Sequence, residues 1–74
     1  MSILKTYKIV KKFPKYRRFL SIAEKDEEQY IVSYQIPIAE IVDNVIYITS
    51  TPNKLQWEHI EYIASELDYI INSN

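Results

Sequence analysis

Apolar residues recur at helical spacing toward the C-terminal end of the chain. Between Thr51 and Asn72 they fall three and four residues apart, the period of one face of an α-helix. Ser50-Thr51-Pro52 is a typical helix start, because a hydroxyl can cap the first backbone N–H groups and proline fits the first turn. The polar residues 72–74 provide the stop. The predicted inner face consists of Ile60, Ile63, Ala64, Leu67, Ile70 and Ile71, with Trp57 at its edge.

Alternating and β-branched segments predict strands in the rest of the chain. The predicted strands are Ile3–Val10, Tyr16–Ala23, Gln29–Ile36 and Val45–Thr49. Pro37 is expected to end the third strand or to place it at a sheet edge, because proline cannot donate to a ladder.

Two connections are harder to assign. Ile38–Val42 fits either a short helical turn begun by Pro37, which we favour, or a strand that pairs across an Asp43-Asn44 turn. Glu24–Glu28 is a polar tip without Gly or Asn. Since primed two-residue turns favour those residues, a loop of four or five residues built on a type I turn is expected.

These elements predict one α+β domain over residues 1–74, in the order β-β-β-β-α. A small antiparallel sheet of three or four strands would carry the single C-terminal helix on one face. The other face would stay open, with Tyr7, Phe19 and Tyr47 as its aromatic residues. An uncovered aromatic face on a small domain favours self-association or a partner.

Composition narrows the function. The 74 residues are 47% hydrophobic and 26% charged, which is typical of a globular fold, and they include no Cys and no Gly. A disulfide framework, a thiolate metal site and a Gly-rich phosphate loop are therefore excluded. No apolar run is long enough to span a membrane and no signal sequence is evident, so we expect a cytoplasmic protein without a membrane partner.

Charge is unevenly distributed along the chain. The net charge is only −1, but no acidic residue precedes Glu24, and aromatic residues alternate with the early basic ones. Cations beside aromatic rings can hold single-stranded nucleic acid, whose phosphates pair with charge and whose bases stack. The candidate nucleic-acid-binding residues are Lys5, Lys8, Lys11, Lys12, Lys15, Tyr16, Arg17, Arg18 and Phe19. The alternative is that this segment only balances the acidic tip and helix.

A second stripe on the predicted helix suggests a protein contact. Leu55, Tyr62 and Tyr69 are seven residues apart and so share a side away from the Ile/Leu face, with Glu58 and Glu66 around them. An aromatic stripe with an acidic rim suits a partner or a homodimer contact. The alternative is that the tyrosines merely cover helix backbone.

The sequence offers little for catalysis. His59 is the only histidine, and we expect it to be solvated on the helix surface. One histidine with one carboxylate is a poor zinc site, and the acidic tip lacks the pattern of a calcium loop. We therefore expect no enzyme activity, no cofactor and no bound metal.

In size, in Lys/Ile/Tyr-rich composition and in lacking catalytic motifs, the chain resembles small phage and mobile-element proteins, including some anti-CRISPR inhibitors. This is a likeness of type and rests on no motif. The favoured hypothesis is a non-enzymatic regulator or inhibitor that acts by protein–protein contact on a larger protein machine. The alternative is a nucleic-acid-binding regulator that uses the basic, aromatic N-terminal half.

Overall fold

A computed structural model defines residues 7–16 and 19–72 of the chain. Within these residues a six-stranded sheet and one α-helix form an α+β domain, which confirms the predicted class. The predicted number of three or four strands is wrong. The elements are β1 (Lys8–Lys12), β2 (Leu20–Lys25), β3 (Glu28–Ser33), β4 (Ile36–Val42), β5 (Val45–Ile48), α1 (Lys54–Leu67) and β6 (Ile70–Asn72), with a 3-10 turn at Pro14–Tyr16.

The strands lie side by side in the order in which they occur in the chain. Neighbours are antiparallel from β1 to β5, and β6 returns parallel to β5 after the helix. The bounds of the first two strands differ from those predicted, since β1 spans Lys8–Lys12 and β2 spans Leu20–Lys25. Residues 3–6 and 17–18 lie outside the described residues, and Tyr16 belongs to the 3-10 turn rather than to a strand.

Three hairpins use two-residue turns. Asp26-Glu27, Tyr34-Gln35 and Asp43-Asn44 each have positive φ at both positions, between 51° and 67°, as type I′ turns require. The longer loop predicted for Glu24–Glu28 is wrong. None of these turns contains glycine, so pairing of the flanking strands must offset the steric cost of the left-handed conformation.

Ile36–Val42 is one strand, so the short helical turn favoured for Ile38–Val42 is wrong. The third predicted strand, Gln29–Ile36, is divided between β3 and β4, because Tyr34 and Gln35 form the turn that joins these two strands. Pro37 pairs with Val32 where the register between β3 and β4 shifts. Such a bulge disrupts the ladder locally and tolerates a residue that has no N–H to donate.

The helix is shorter than predicted at both ends. Its N-cap is Asn53 instead of Ser50 or Thr51. The Asn53 side chain accepts a hydrogen bond from the Gln56 N–H at 2.8 Å, and Gln56 Oε1 accepts one from the Asn53 N–H at 2.9 Å, which makes a capping box. At the other end Asp68 adopts a left-handed conformation, with φ 59°, and its N–H bonds to Ala64.

The core lies between α1 and one face of the sheet. The helix contributes Ile60 and Ile63, which are fully buried, and Ala64 and Leu67 are partly buried beside them. Ile70 and Ile71 belong to β6, so the predicted inner face is correct only as far as Leu67. The sheet contributes Leu20, Ile22, Ile31, Ile38, Ala39, Ile41 and Ile46, and Phe13, between β1 and the 3-10 turn, completes the buried cluster.

Candidate functional site: two ends and an open face

The two ends of the sheet differ in charge. At one end the β2–β3 and β4–β5 turns bring together Asp26, Glu27 and Asp43, and the chain after α1 adds Asp68. At the other end the described residues outside the strands and helix are 13–16, 19, 34–35 and 49–53, which include Lys15 and no acid. The charge asymmetry of the sequence therefore becomes a charge asymmetry of the folded domain.

Six rings form a continuous cluster at the second end, which we call the aromatic end. Neighbouring centroids lie 4.5–5.8 Å apart. The chain of contacts runs through Phe13, Tyr62, Tyr16, His59, Tyr34 and Phe19. Phe13 is buried within it, whereas Phe19 and Tyr34 remain 45% and 44% exposed.

His59 lies inside this cluster, so the predicted surface histidine is wrong. Its side chain is fully buried, and its Nδ1 lies 2.8 Å from the hydroxyl oxygen of Ser33. The Nε2 atom has no hydrogen-bond partner. Burial lowers the pKa of His59 below its usual value of 6.5, and the nearby charge of Glu58 opposes this only in part. The helix face around His59 is buried because Tyr16 and Tyr34 pack against it.

The predicted basic segment is divided among several locations. Lys8, Lys11 and Lys12 lie on the exposed edge strand β1, and Lys15 lies on the 3-10 turn. The Lys11 ammonium lies 5.7 Å from the Phe13 ring centre, and that of Lys15 lies 5.4 Å from both the Tyr16 and Tyr62 ring centres. Lys5, Arg17 and Arg18 lie outside the described residues. Lys11 and Lys15 are thus close enough to these rings for cation–π contact.

The helix stripe predicted as a partner surface is not a shared side of the helix. Tyr69 lies beyond the helix end, where it is half-buried against the core. Tyr62 is also half-buried, since its ring packs edge-on against Phe13 and Tyr16. Leu55, Glu58 and Glu66 are exposed on α1. A role for these five residues in partner binding stays a prediction, although two of them pack against the core.

The sheet face opposite α1, which we call the open face, is defined by strand register. Ala23, Tyr30, Glu40 and Tyr47 are successive cross-strand partners and therefore point to the same side. Val42, Val45 and Ile70 form a neighbouring row. Ala23 and Val32 are buried on this face. Its exposed apolar residues are Ile9 on β1, which pairs with Ala23, and residues of strands β4 to β6.

Of the three aromatic residues predicted for an open face, only Tyr47 is exposed on it. Tyr7 is half-buried, and its ring meets Tyr30 edge-on at 5.5 Å. Phe19 precedes β2 and packs against Tyr34 at the aromatic end. The residues of this face that sequence reasoning missed are Val42 and Ile70, because they were assigned to a turn and to the helix.

The exposed part of the open face carries both apolar side chains and carboxylates. Val42, Tyr47 and Ile70 are 42%, 38% and 68% exposed. The Tyr30 hydroxyl donates a hydrogen bond to Glu28, which raises the pKa of Tyr30 to about 12. Desolvation and the nearby charge of Glu28 raise the pKa of Glu40 above its usual value of 4.5. A cationic group at this position would relieve the crowding of negative charge.

A shallow cleft of about 590 Å³ lies at the acidic end. Its lining includes five carboxylates and no basic residue: Glu24, Glu27, Glu28, Glu40 and Asp43, together with Gln29, Ile41, Val42, Asn44 and Tyr69. Among the described residues, no three His, Cys, Asp or Glu side chains are grouped so that they could bind one metal ion. The cleft therefore contributes negative charge beside the open face.

The helix, the only one in the described part of the chain, has 14 residues and is too short to cross a membrane. No known family, curated protein or solved structure matches the chain significantly.

Proposed function

We propose that this domain is a non-enzymatic binding module whose open face contacts a protein partner that carries basic side chains. The observation that carries the proposal is the exposed apolar row of Val42 and Ile70 beside Tyr47. Contiguous apolar patches on the surface of a small domain often mark a protein contact. The finer hypothesis, a regulator or inhibitor of a larger protein machine, rests on the small size of the chain and on its likeness of type to phage proteins.

Charge complementarity indicates the chemistry of the partner. Glu28 and Glu40 lie next to Tyr30 on this face, and both also line the acidic cleft. A lysine or arginine from the partner would pair with them, while the apolar row would exclude water around the pair. An aromatic and aliphatic centre with a charged rim is the usual anatomy of a protein interface.

The sheet edges are poorer candidates for the contact. β1 carries Lys8, Lys11 and Lys12 and shifts register between Ile9 and Lys11. β6 is only three residues long. Lysines, bulges and short strands are the features that discourage edge pairing. A partner is therefore expected to dock on the face of the sheet instead of extending it.

Site-specific photocrosslinking in an extract of the native host tests the proposal. A photoreactive phenylalanine analogue replaces Tyr47 in one variant and Leu55 in another, so that the open face and the helix surface are compared directly. We expect a specific crosslinked protein from position 47, lost when Ile70 is replaced by Ser and retained when Leu55 is replaced by Ser. Crosslinking from position 55 alone would refute the open-face site in favour of the helix surface.

The partner could also be a second copy of the chain, and sedimentation distinguishes this case. A homodimer that dissociates in the Tyr47→Ala variant would identify the second copy as the occupant of the open face. A dimer that persists in Tyr47→Ala and Ile70→Ser would place self-association elsewhere and leave the crosslinking result to decide.

A further inference from the structure

We propose that the aromatic end is a separate binding site for single-stranded nucleic acid, in which Phe19 and Tyr34 stack on bases while Lys12 and Lys15 bind phosphates. This site lies away from the exposed row of the open face and does not depend on the function proposed for that face.

The first support is the exposed aromatic pair. The Phe19 and Tyr34 ring centres lie 4.9 Å apart with a 31° tilt, and nearly half of each side chain is accessible. Neither residue is needed to fill the core, since the buried cluster is complete without them. Exposed aromatic side chains of this kind can stack with bases with little regard to sequence.

The pair is also rigidly supported. The Tyr34 N–H bonds to the Phe19 carbonyl at 2.9 Å, and the Phe19 N–H bonds to the Tyr16 carbonyl at 2.8 Å. Behind them the Tyr34 ring stacks on buried His59 with a centroid distance of 5.7 Å. Rings that are already fixed lose little conformational entropy when a base stacks on them.

The backbone of Tyr34 is a further indication. Tyr34 has φ 51° at the first central position of a type I′ turn, where Asn, Asp or Gly fits with less strain. Strained positions persist where the surrounding structure holds them, and they concentrate at binding sites. In this fold the strained turn projects an aromatic ring beside Phe19.

Positive charge lies at the same end of the sheet. Lys12 pairs with Ser21 in the register between β1 and β2, two residues from Phe19. Lys15 lies over the Tyr16 ring, which in turn contacts His59 next to Tyr34. The described loop residues at this end include no acid, and the carboxylate beside the cluster is that of Glu58 on α1. Charges beside stacking surfaces are the arrangement that single strands require.

Fluorescence anisotropy with a labelled oligothymidylate and a labelled oligouridylate, each about a dozen nucleotides long, tests the site. At low salt the parent is expected to bind both. Phe19→Ala and Tyr34→Asn should each weaken binding by about tenfold. Asn suits the left-handed position, so the turn is kept. Tyr47→Ala, which removes a tyrosine of similar exposure from the open face, is the matched control and should bind oligonucleotide like the parent.

Lysine variants separate this site from general electrostatic attraction. Replacing Lys12 and Lys15 together with Gln should reduce the slope of log affinity against log salt by about 1.4, at ~0.7 per phosphate contact. Lys8 and Lys25, replaced together with Gln, are the control, because they remove the same charge near the acidic end and Lys25 also lies 5.4 Å from a tyrosine ring centre. This pair should leave the slope unchanged.

Several results would overturn the proposal. They are absence of binding by the parent at low salt, equal weakening by the control variants, and affinity for duplex equal to that for single strands with no effect of Phe19→Ala. Self-association that depends on Lys12 and Lys15, without oligonucleotide binding, would also refute it. The aromatic end would then contact the acidic end of another copy.

Discussion

The Nδ1 atom of His59 lies 2.8 Å from the hydroxyl oxygen of Ser33, and both side chains are completely buried. This contact joins the middle of α1 to the end of β3. A neutral imidazole satisfies it in either tautomer, whereas a protonated one would add a buried charge and carry an N–H on both nitrogens, of which the one at Nε2 has no partner. The contact therefore makes the fold sensitive to the protonation of one residue.

Stability should fall as pH decreases through about 6.5. The folded-state pKa of His59 lies below its usual value of 6.5, so below that pH the unfolded chain takes up a proton that the folded domain does not. The limiting slope for one proton is ~1.4 kcal/mol per pH unit. Urea denaturation at a series of pH values, above the range in which carboxylates titrate, measures it.

The control for this effect is a double variant with Ser33→Ala and His59→Phe. It removes both polar groups together and so leaves neither unsatisfied in the core. Its stability should be flat over the same pH range. An unchanged slope in the double variant would assign the pH dependence to other groups.

Ile63 should contribute more than Leu67 to the stability gained when α1 packs against the sheet. Ile63 is fully buried, whereas Leu67 is only partly buried near the end of α1. Ile63→Ala should cost about 2–5 kcal/mol of unfolding free energy through lost transfer energy and a residual cavity. Leu67→Ala should cost less, about 1–2 kcal/mol, because less surface is removed from water. Chemical denaturation of both variants makes the comparison, and a larger loss for Leu67→Ala would contradict the packing described.

Sequence periodicity identified the helix but could not locate its end. Ile70 and Ile71 continue the three- and four-residue spacing from Ile63 and Leu67, yet they belong to β6. The helix stops because Asp68 turns left-handed and the Ile70 N–H bonds to Asn44 at 3.0 Å. That bond joins residues far apart in sequence, and no glycine signalled the stop. The helical spacing therefore extended into β6, and the pattern alone could not show that a strand follows the helix.

The position of His59 was equally beyond a local pattern. On the helix alone it lies outside the Ile/Leu face, and its burial comes from Tyr16 and Tyr34, which belong to a 3-10 turn and a hairpin turn. No local sequence pattern predicted that the chain would place these two turns against the helix. By contrast, Tyr47 on the open face was predictable, since strand alternation fixes which side it faces.

Replacement of the β2–β3 turn by Asn-Gly should stabilise the domain. Asp26 and Glu27 have φ 54° and 67°, and a left-handed conformation costs ~1–2 kcal/mol for a residue with a Cβ. Glycine at position 27 removes that cost but adds about 0.4–1 kcal/mol of unfolded-state entropy, so a net gain of about 0.5–1 kcal/mol is expected for Asp26→Asn with Glu27→Gly. Thermal melting measures it.

The matched control for the turn is Glu24→Gly, placed within β2 just before the same turn. It should destabilise the domain by about 0.5–1 kcal/mol, because glycine weakens a strand interior. If both glycine variants lowered the melting temperature alike, the turn would not be of the primed type.

Glu40 should make the folded domain less stable as pH rises. Its folded-state pKa is raised above 4.5 by desolvation and by the charge of Glu28, so the stability that the protonated carboxyl contributes is present below pH 4.5 and is lost as pH rises through the raised pKa. Glu40→Gln keeps the shape of the side chain and removes the charge. The variant should therefore melt higher than the parent at neutral pH and no higher at pH 4. Glu66→Gln, which neutralises an exposed carboxylate on α1, is the control and should show no such pH-dependent gain.

A gain in Glu40→Gln that was the same at both pH values would mean that its charge is not crowded by Glu28. The argument for a basic partner on the open face would then lose its electrostatic support.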